Sequence, residues 1–246
     1  MRQSRWCVSA VVFLMLSTLP TMAQPPRGHD TSGAIQFRLG GFFPQGGGEF
    51  WKENEEVFTL DIGDFRSTIF GITFMMPVSN HVEVGFNADF YNETVVSAYR
   101  GFVDQAGFPI LHDTMLRQIP LVADIRLLPG GRHGVRGSRS QFRVRHPVFY
   151  LGGGIGVNYW EYEEIGDFLD FGLDPPVIFF DRFIDDGFAF SAHAVAGIEL
   201  PVGPNWGLLF EGRYTWSDDE LDGDFAGLGS LDLDGASALV GASIHF

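Results

Sequence analysis

The sequence predicts an all-β fold in which eight antiparallel strands close into a barrel, and three observations support this prediction. Segments of about ten residues alternate between apolar side chains and small or polar ones, which is the period of a strand with one face in an apolar medium. The composition combines 32 glycines with 15 % aromatic residues, which is typical of β proteins. The length of 246 residues suits a single β domain.

The first four predicted strands carry a row of apolar side chains on one face. Val82, Val84 and Phe86 show this pattern most clearly, because Glu83 and its neighbours on the other face are polar or small. Pro120 lies inside the fourth segment and favours a bulge there, since proline has no N–H to donate. The four segments are 33–44, 66–77, 81–93 and 115–128.

The other four predicted strands place small residues opposite the apolar face. In the fifth strand Gly152, Gly154 and Gly156 share one face, which leaves room for neighbouring side chains in a narrow interior. The eighth strand alternates up to the last residue, Phe246, with Ser243 and other small or polar residues on its second face. These four segments are 148–160, 188–201, 206–216 and 233–246.

The connections between these strands differ in predicted length in a regular way. Short turns are predicted at 77–80 and 201–205, where Pro, Asn and Gly favour tight turns. The segment 129–147 is the exception, because it is long and basic on the side where the other turns are short. Long loops are predicted at 45–64, 92–114, 161–186 and 217–232.

The first 23 residues have the layout of a secretory signal peptide. Arg2 and Arg5 precede an apolar run at 6–19, which at about fourteen residues is too short to span a membrane as a helix. The sequence therefore predicts a signal peptide at 1–23, a flexible leader at 24–32 and a barrel domain at 33–246. After cleavage the chain would carry 14 basic and 31 acidic residues, a formal charge of −17. A nucleic-acid partner is therefore not expected, since phosphate binding needs clustered Lys and Arg.

The polar faces of the strands suit a crowded interior better than a surface in water. They combine a few charges of both signs with glycines and serines, whereas a solvated face would be rich in Lys, Glu and Thr. The apolar faces often end in aromatic residues, as at a membrane interface. Since a strand edge in lipid would leave backbone groups without partners, the prediction is a closed antiparallel eight-stranded transmembrane β-barrel. A soluble periplasmic, lipocalin-like binding barrel with its apolar face inward is the alternative.

The chain resembles the eight-stranded outer-membrane β-barrel family, the OmpA-like and OmpX-like barrels. The resemblance is carried by 147–158 (PVFYLGGGIGVN), by 197–201 (GIELP) and by 206–216, which contains Glu211 and Arg213. It implies residence in a Gram-negative outer membrane, short periplasmic turns and a lumen filled by polar side chains. The long basic connection departs from this pattern.

Seven charged residues are predicted to line the lumen, either as a structural plug of ion pairs or as a network that gates a channel. Buried charges must be paired to be tolerated, so Glu211 and Arg213 are expected to find partners such as Arg126 or Glu199. The terminal Phe246 is predicted to be the signal that the outer-membrane assembly machinery reads. The seven lumen residues are Arg38, Glu83, Asp124, Arg126, Glu199, Glu211 and Arg213.

Three further features raise other possibilities. Ser191 and His193 share a face and could suit a lipid-modifying enzyme, although that face is predicted to be luminal. The acidic segment 218–224 only faintly resembles a calcium loop, because it lacks the distal glutamate. The basic connection could contact anionic headgroups or be a solvated turn, and the Phe-rich segment 161–186 could bind a partner or pack over the barrel mouth.

The function predicted from these features is that of a monomeric, non-enzymatic outer-membrane barrel with a structural, surface-interaction or minor permeability role. No metal or cofactor is expected. The predicted partners are outer-membrane lipid, lipopolysaccharide and, through the final strand, the assembly machinery. A lipid-modifying enzyme and the soluble binding barrel are the alternative functions.

Overall fold

A computed structural model describes residues 33–132, 146–173 and 175–246. The predicted signal peptide, the predicted leader and residues 133–145 of the basic connection lie outside these ranges and stay predictions. Within the described ranges, no helix is long and apolar enough to cross a membrane.

The described residues form nine strands, one α-helix and two 3₁₀ helices. Helix α1 spans Glu49–Val57, and the 3₁₀ helices span Ile62–Phe65 and Gly223–Phe225. The strands are β1 (Ala34–Pro44), β2 (Ser67–Ser79), β3 (Val82–Val103), β4 (Pro109–Leu127), β5 (Val148–Asp170), β6 (Val177–Pro201), β7 (Trp206–Glu220), β8 (Ser230–Asp232) and β9 (Gly235–His245).

Eight of these strands form a closed antiparallel ring, which confirms the predicted fold class. Each strand pairs with the next from β1 to β7, β7 pairs with β9, and β9 pairs with β1. The closing pair runs in register from Ala34 opposite His245 to Pro44 opposite Gly235. Strand β8 lies outside the ring and pairs only with the end of β7.

The two faces of the strands are arranged as in a membrane protein. On β1 the outward side chains Phe37 and Leu39 are 50 % and 54 % exposed, while the inward Gln36 and Arg38 are 0 % and 3 % exposed. The same holds on β9, where Val240 points outward. Charges inside and apolar side chains outside exclude the soluble binding barrel, whose apolar face would surround its ligand.

Strands β3 to β6 are much longer than predicted, so the loops predicted at 92–114 and 161–186 are wrong. They are hairpins: β3 and β4 are joined by 104–108, and β5 and β6 by 171–176. We call the part of these strands beyond the membrane, 92–103, 109–117, 161–170 and 177–187, the outer extension. A strand needs only about ten residues to cross a bilayer, so the extension projects well past it.

The outer extension was missed because its outward face stops being apolar. Glu161 and Glu163 on β5 continue the outward row begun by Val157 and Tyr159, so the alternation that marks a lipid-facing strand ends where the strand leaves lipid. Short turns mark the periplasmic side of such barrels. The turn between Ser79 and Val82 therefore places the outer extension at the cell exterior.

Candidate functional site

The interior of the barrel holds all seven charged residues that the sequence placed there. None of them exposes more than 6 % of its surface. Six of them fall into two clusters at different heights, and the seventh, Asp124, pairs with His193 on the barrel wall. The central cluster consists of Arg38, Asp89, Arg126, Glu211 and Arg213, and the periplasmic cluster of Glu83, Arg132, Glu199 and His245.

Glu211 on β7 is the hub of the central cluster. Its Oε1 accepts hydrogen bonds from Arg38 Nη1 at 2.9 Å and from Arg213 Nη2 at 2.7 Å. Its Oε2 accepts from Arg126 Nη2 at 3.1 Å and from the Tyr150 hydroxyl at 2.9 Å. One carboxylate thus joins β1, β4, β5 and β7 across the lumen, and it faces three guanidinium groups.

Asp89 on β3 supplies the second negative charge of the central cluster. It accepts a hydrogen bond from Arg38 Nη2 at 2.9 Å and pairs with Arg213. Asn87 supports it from the same strand, with its amide nitrogen 2.7 Å from Asp89 Oδ2. The sequence had suggested Glu199 as a partner for Arg213, but Glu199 lies in the periplasmic cluster. Asp89 was missed although it lies on the polar face of its strand.

Asp124 pairs on the barrel wall with His193, whose Nε2 lies 3.0 Å from Asp124 Oδ1 without the alignment of a hydrogen bond. Ser191 is next on the same face and is completely buried, and its hydroxyl has no hydrogen-bond partner among the described residues. All three face the lumen, away from any lipid substrate. The geometry therefore gives Ser191 and His193 no access to a lipid ester or amide.

The periplasmic cluster closes the inner end of the barrel with a residue from the basic connection. Arg132 pairs with Glu83 and, through Nη2, with Glu199 Oε2 at 2.7 Å. Burial opposes the charge of Arg132, but the two carboxylates outweigh it and raise the pKa of Arg132 above its usual range. His245 Nε2 and the Ser243 hydroxyl lie 2.6 Å and 2.8 Å from Glu199 Oε1. This part of the connection is a plug rather than the solvated or headgroup-binding turn expected from the sequence.

The glycines of β5 let these side chains fill the lumen. A Cβ on Gly154 would lie 2.4 Å from Asp124 Oδ1 and 2.5 Å from Val122 Cγ1. A void beside the central cluster, lined by Asp89 and Arg213 among others, measures only about 10 Å³. That volume is at the lower limit for one water molecule, so this void is nearly filled by the side chains around it.

The outer end of the barrel is closed by a hydrophobic group that we call the outer cap. Helix α1 brings Phe50 and Trp51, which are 2 % and 1 % exposed, against Tyr162 of β5. Trp51 also donates its indole N–H to the Asp232 carbonyl at 2.9 Å. Other side chains of the cap come from the β1–β2 connection, from the segment between β7 and β9 and from the extension: Phe58, Leu60, Phe65, Tyr99, Ile110, Leu116, Phe168, Leu221, Phe225, Leu231 and Leu233.

The predicted loop at 45–64 thus contains a helix and much of the cap. The sequence signal was present, because Phe50, Trp51, Phe58 and Leu60 are apolar residues in an otherwise acidic segment. A solvated loop would not carry four such side chains within eleven residues.

The outer cap contains buried titratable groups outside the membrane-spanning segments. His112 on β4 is 2 % exposed, with its Nε2 3.0 Å from Ser97 Oγ and its ring 4.2 Å from that of Phe58. Burial lowers the pKa of His112 to about 4, against a weaker opposing effect of Asp113. Burial also disfavours the charged form of Glu164 and so raises its pKa. The Glu164 carboxylate accepts a hydrogen bond from the Tyr162 hydroxyl at 2.6 Å.

The acidic segment, the terminal Phe246 and the Phe-rich segment, which the sequence also singled out, lie in different parts of the structure. In the acidic segment 218–224, Asp224 accepts the Ile184 N–H at 3.0 Å and Asp219 accepts the Trp160 indole N–H at 2.8 Å. The described residues contain no group of side chains suited to a metal ion. Phe246 donates its N–H to the Gly33 carbonyl at 3.0 Å and stacks on Phe74. In the Phe-rich segment, Phe168 packs in the cap as one of the two expectations had it, whereas Phe180 is 70 % exposed. Partner binding by this segment stays a prediction.

No family model matches the sequence, and no curated protein matches it significantly. Ail, the attachment invasion locus protein of Yersinia pestis, solved with the heparin analogue sucrose octasulfate, is 11 % identical over 89 % of this chain and 100 % of that chain, with a TM-score of 0.42. Neisserial surface protein A is 11 % identical over 87 % and 97 % of the two chains, with a TM-score of 0.42. The N-terminal β-barrel domain of Pseudomonas aeruginosa OprF is 11 % identical over 87 % of this chain and 97 % of that chain, with a TM-score of 0.39.

The strand pairing and the apolar outer face of this chain establish its fold by themselves. An eight-stranded closed ring with a polar interior and a lipid-facing exterior is the architecture of outer-membrane barrels. The predicted resemblance to that architecture is confirmed at the level of the fold.

Proposed function

We propose that this protein is a non-conducting outer-membrane barrel whose role is surface interaction. The observation that carries the proposal is the sealed interior. The outer cap, the central cluster and the periplasmic cluster fill the lumen at three levels, and the void beside the central cluster measures only about 10 Å³. What remains accessible is the outer extension, which presents side chains well beyond the membrane.

Permeability is tested by recording from the purified protein in planar lipid bilayers. We expect no conductance steps from the native protein. Arg213→Ala removes one member of the central cluster and leaves the outer cap and the periplasmic cluster in place, so its conductance should also stay near zero. A large conductance in either protein would contradict a sealed barrel and favour the gated channel instead.

The surface role requires the outer extension to face the medium. The only cysteine, Cys7, lies in the predicted signal peptide, so single cysteines can be introduced for labelling. Asp170→Cys at the tip of the extension should react with a membrane-impermeant maleimide on intact cells. The matched control is Val202→Cys, which is 50 % exposed in the β6–β7 turn and should react only after the outer membrane is permeabilised. The reverse pattern would overturn the orientation.

Several partners predicted from the sequence remain part of this proposal. Lipid and lipopolysaccharide would contact the apolar belt and its rim, and the assembly machinery would read the strand that ends at Phe246. We propose no catalytic step, because the one Ser–His pair considered is buried in the lumen. The acidic outer side also speaks against a sulfated ligand such as the one bound by Ail.

A further inference from the structure

One edge of the outer extension has no neighbouring strand. Strand β7 pairs with β6 only between Phe190 and Pro201, so among the described residues the outer half of β6 is paired on the β5 side alone. Near the membrane the chain covers this edge itself, because Asp224 accepts the Ile184 N–H and Asp185 accepts the Asp222 N–H at 2.6 Å. The uncovered part is 177–182, which we call the open edge.

The open edge presents backbone groups in the arrangement that a further strand requires. Ile184 turns its N–H away from β5 to reach Asp224, and the β5–β6 register continues without a shift to Val177. Since alternate residues of an antiparallel strand point their N–H and C=O groups to the same side, Ile178 and Phe180 also point theirs away from β5. The Arg182 N–H is held by Asp181 Oδ1 at 2.8 Å, so the free donors are those two.

The first four side chains of the open edge, which alternate between its two faces, are all apolar. Val177, Ile178, Phe179 and Phe180 are 47 %, 36 %, 37 % and 70 % exposed. Proteins usually protect such an edge with lysine, proline or a covering loop, because an exposed apolar edge strand recruits other strands. Here the membrane-proximal part of the edge is covered and the apolar part is left accessible.

The charge around the open edge selects the partner. Between residues 166 and 187 the sequence contains six aspartates and one arginine, and that Arg182 is already bound to Glu163 by two hydrogen bonds of 2.6 Å and 2.9 Å. Asp167, Asp170 and Asp181 are exposed. An acidic segment would be repelled here, whereas lysine or arginine side chains would be attracted.

We propose that the open edge binds an extended, cationic segment with alternating apolar residues, which adds to β6 as a fifth strand of the outer extension. The backbone groups of Ile178 and Phe180 would form the new ladder, the apolar side chains would pack beside them, and the aspartates would favour a basic sequence. This rests on the proposed surface role and names the chemistry of its partner.

The test uses the refolded full-length mature chain in nanodiscs of zwitterionic lipid and fluorescently labelled synthetic peptides of about eight residues, the usual length of a strand. One peptide alternates lysine with valine, and a second alternates glutamate with valine. A third is the lysine peptide with alternate backbone nitrogens methylated. Fluorescence anisotropy should show the lysine peptide binding at least about tenfold more tightly than the other two, because each loses charge attraction or ladder hydrogen bonds.

Variants of the protein locate the site. Phe180→Pro removes an N–H that points away from β5, so it spares the native ladder and should weaken binding of the lysine peptide about tenfold or more. Phe108→Ala removes a Phe of similar exposure (66 %) at the other hairpin tip and should leave binding within about twofold. Heat-modifiable migration on gels verifies that each variant is folded.

The outcomes separate this inference from the proposed function. Equal binding of the lysine and glutamate peptides, or unchanged binding to Phe180→Pro, would overturn the proposed partner or site. Neither result would affect the sealed lumen or the surface exposure, which are measured by conductance and cysteine labelling.

Discussion

Neutralising Glu211 should destabilise the barrel more than any surface change on the same strand. Glu211→Gln keeps the size of the side chain but removes the negative charge that faces Arg38, Arg126 and Arg213. Arg38 and Arg213 would still pair with Asp89, but Arg126 would lose its one carboxylate partner among the described residues. Removing one partner of a buried ion pair costs about 3–5 kcal/mol, and we expect a loss of unfolding free energy in that range.

The assay is urea unfolding of the refolded protein in detergent, followed by tryptophan fluorescence and by the gel shift between folded and unfolded forms. Glu220→Gln at the exposed end of β7 is the control, and should change the free energy by less than about 0.5 kcal/mol. Adding Arg126→Met to Glu211→Gln removes one surplus positive charge, so the double variant should be more stable than the sum of the two single losses predicts. A loss below about 1 kcal/mol for Glu211→Gln, the range of exposed ion pairs, would refute the central role of this carboxylate.

Three further predictions concern the lumen, the outer cap and the terminus. Gly154→Val should abolish folding, because its Cβ would lie 2.7 Å from the Ala123 backbone oxygen and 2.5 Å from Val122 Cγ1, whereas Gly212→Val should be tolerated because nothing lies within 4 Å of that position. Equal gel shifts for both would contradict a filled lumen. His112 should titrate with a pKa of about 4 by NMR. Because the folded state disfavours the imidazolium, the cap should lose stability as the pH falls from about 6.5 to about 4. Proteolysis should therefore become faster over this pH range, and His112→Gln should abolish that pH dependence. Deleting Phe246 should impair insertion in cells more than refolding into detergent, and normal insertion would show that the terminal residue is not read by the assembly machinery.

The parts of the site that the sequence predicted are those fixed by alternation alone. Arg38, Glu211 and Arg213 were placed inside because their neighbours along the strand are lipid-facing, and period two leaves no other face. Their pairing could not be predicted in the same way. Which residues meet across a lumen depends on how the strands are staggered around the ring, and this stagger brings Asp89 rather than Glu199 to Arg213.

The parts that were missed share a different cause. Arg132 lies in a connection, where no periodicity indicates direction, and only the fold shows that it turns back to Glu83 and Glu199. The outer extension was taken for loops because its outward face meets water, so the usual sign of a barrel strand disappears while the backbone pairing continues. Apolar residues within the predicted loops, such as Trp51 in 45–64 and Phe168 in 161–186, were the remaining signal for the outer cap.

The sequence alone determined that eight strands close into a barrel and which face of each strand meets lipid. Both follow from local rules: alternation fixes the faces, and lipid requires that every backbone group in the membrane be paired. The tertiary structure decided that two charged clusters and a hydrophobic cap fill the lumen at three levels and that β6 keeps an open edge in the outer extension. Those features depend on contacts between residues far apart in the chain, such as Arg38 with Glu211 and Trp51 with Asp232, which no local pattern specifies.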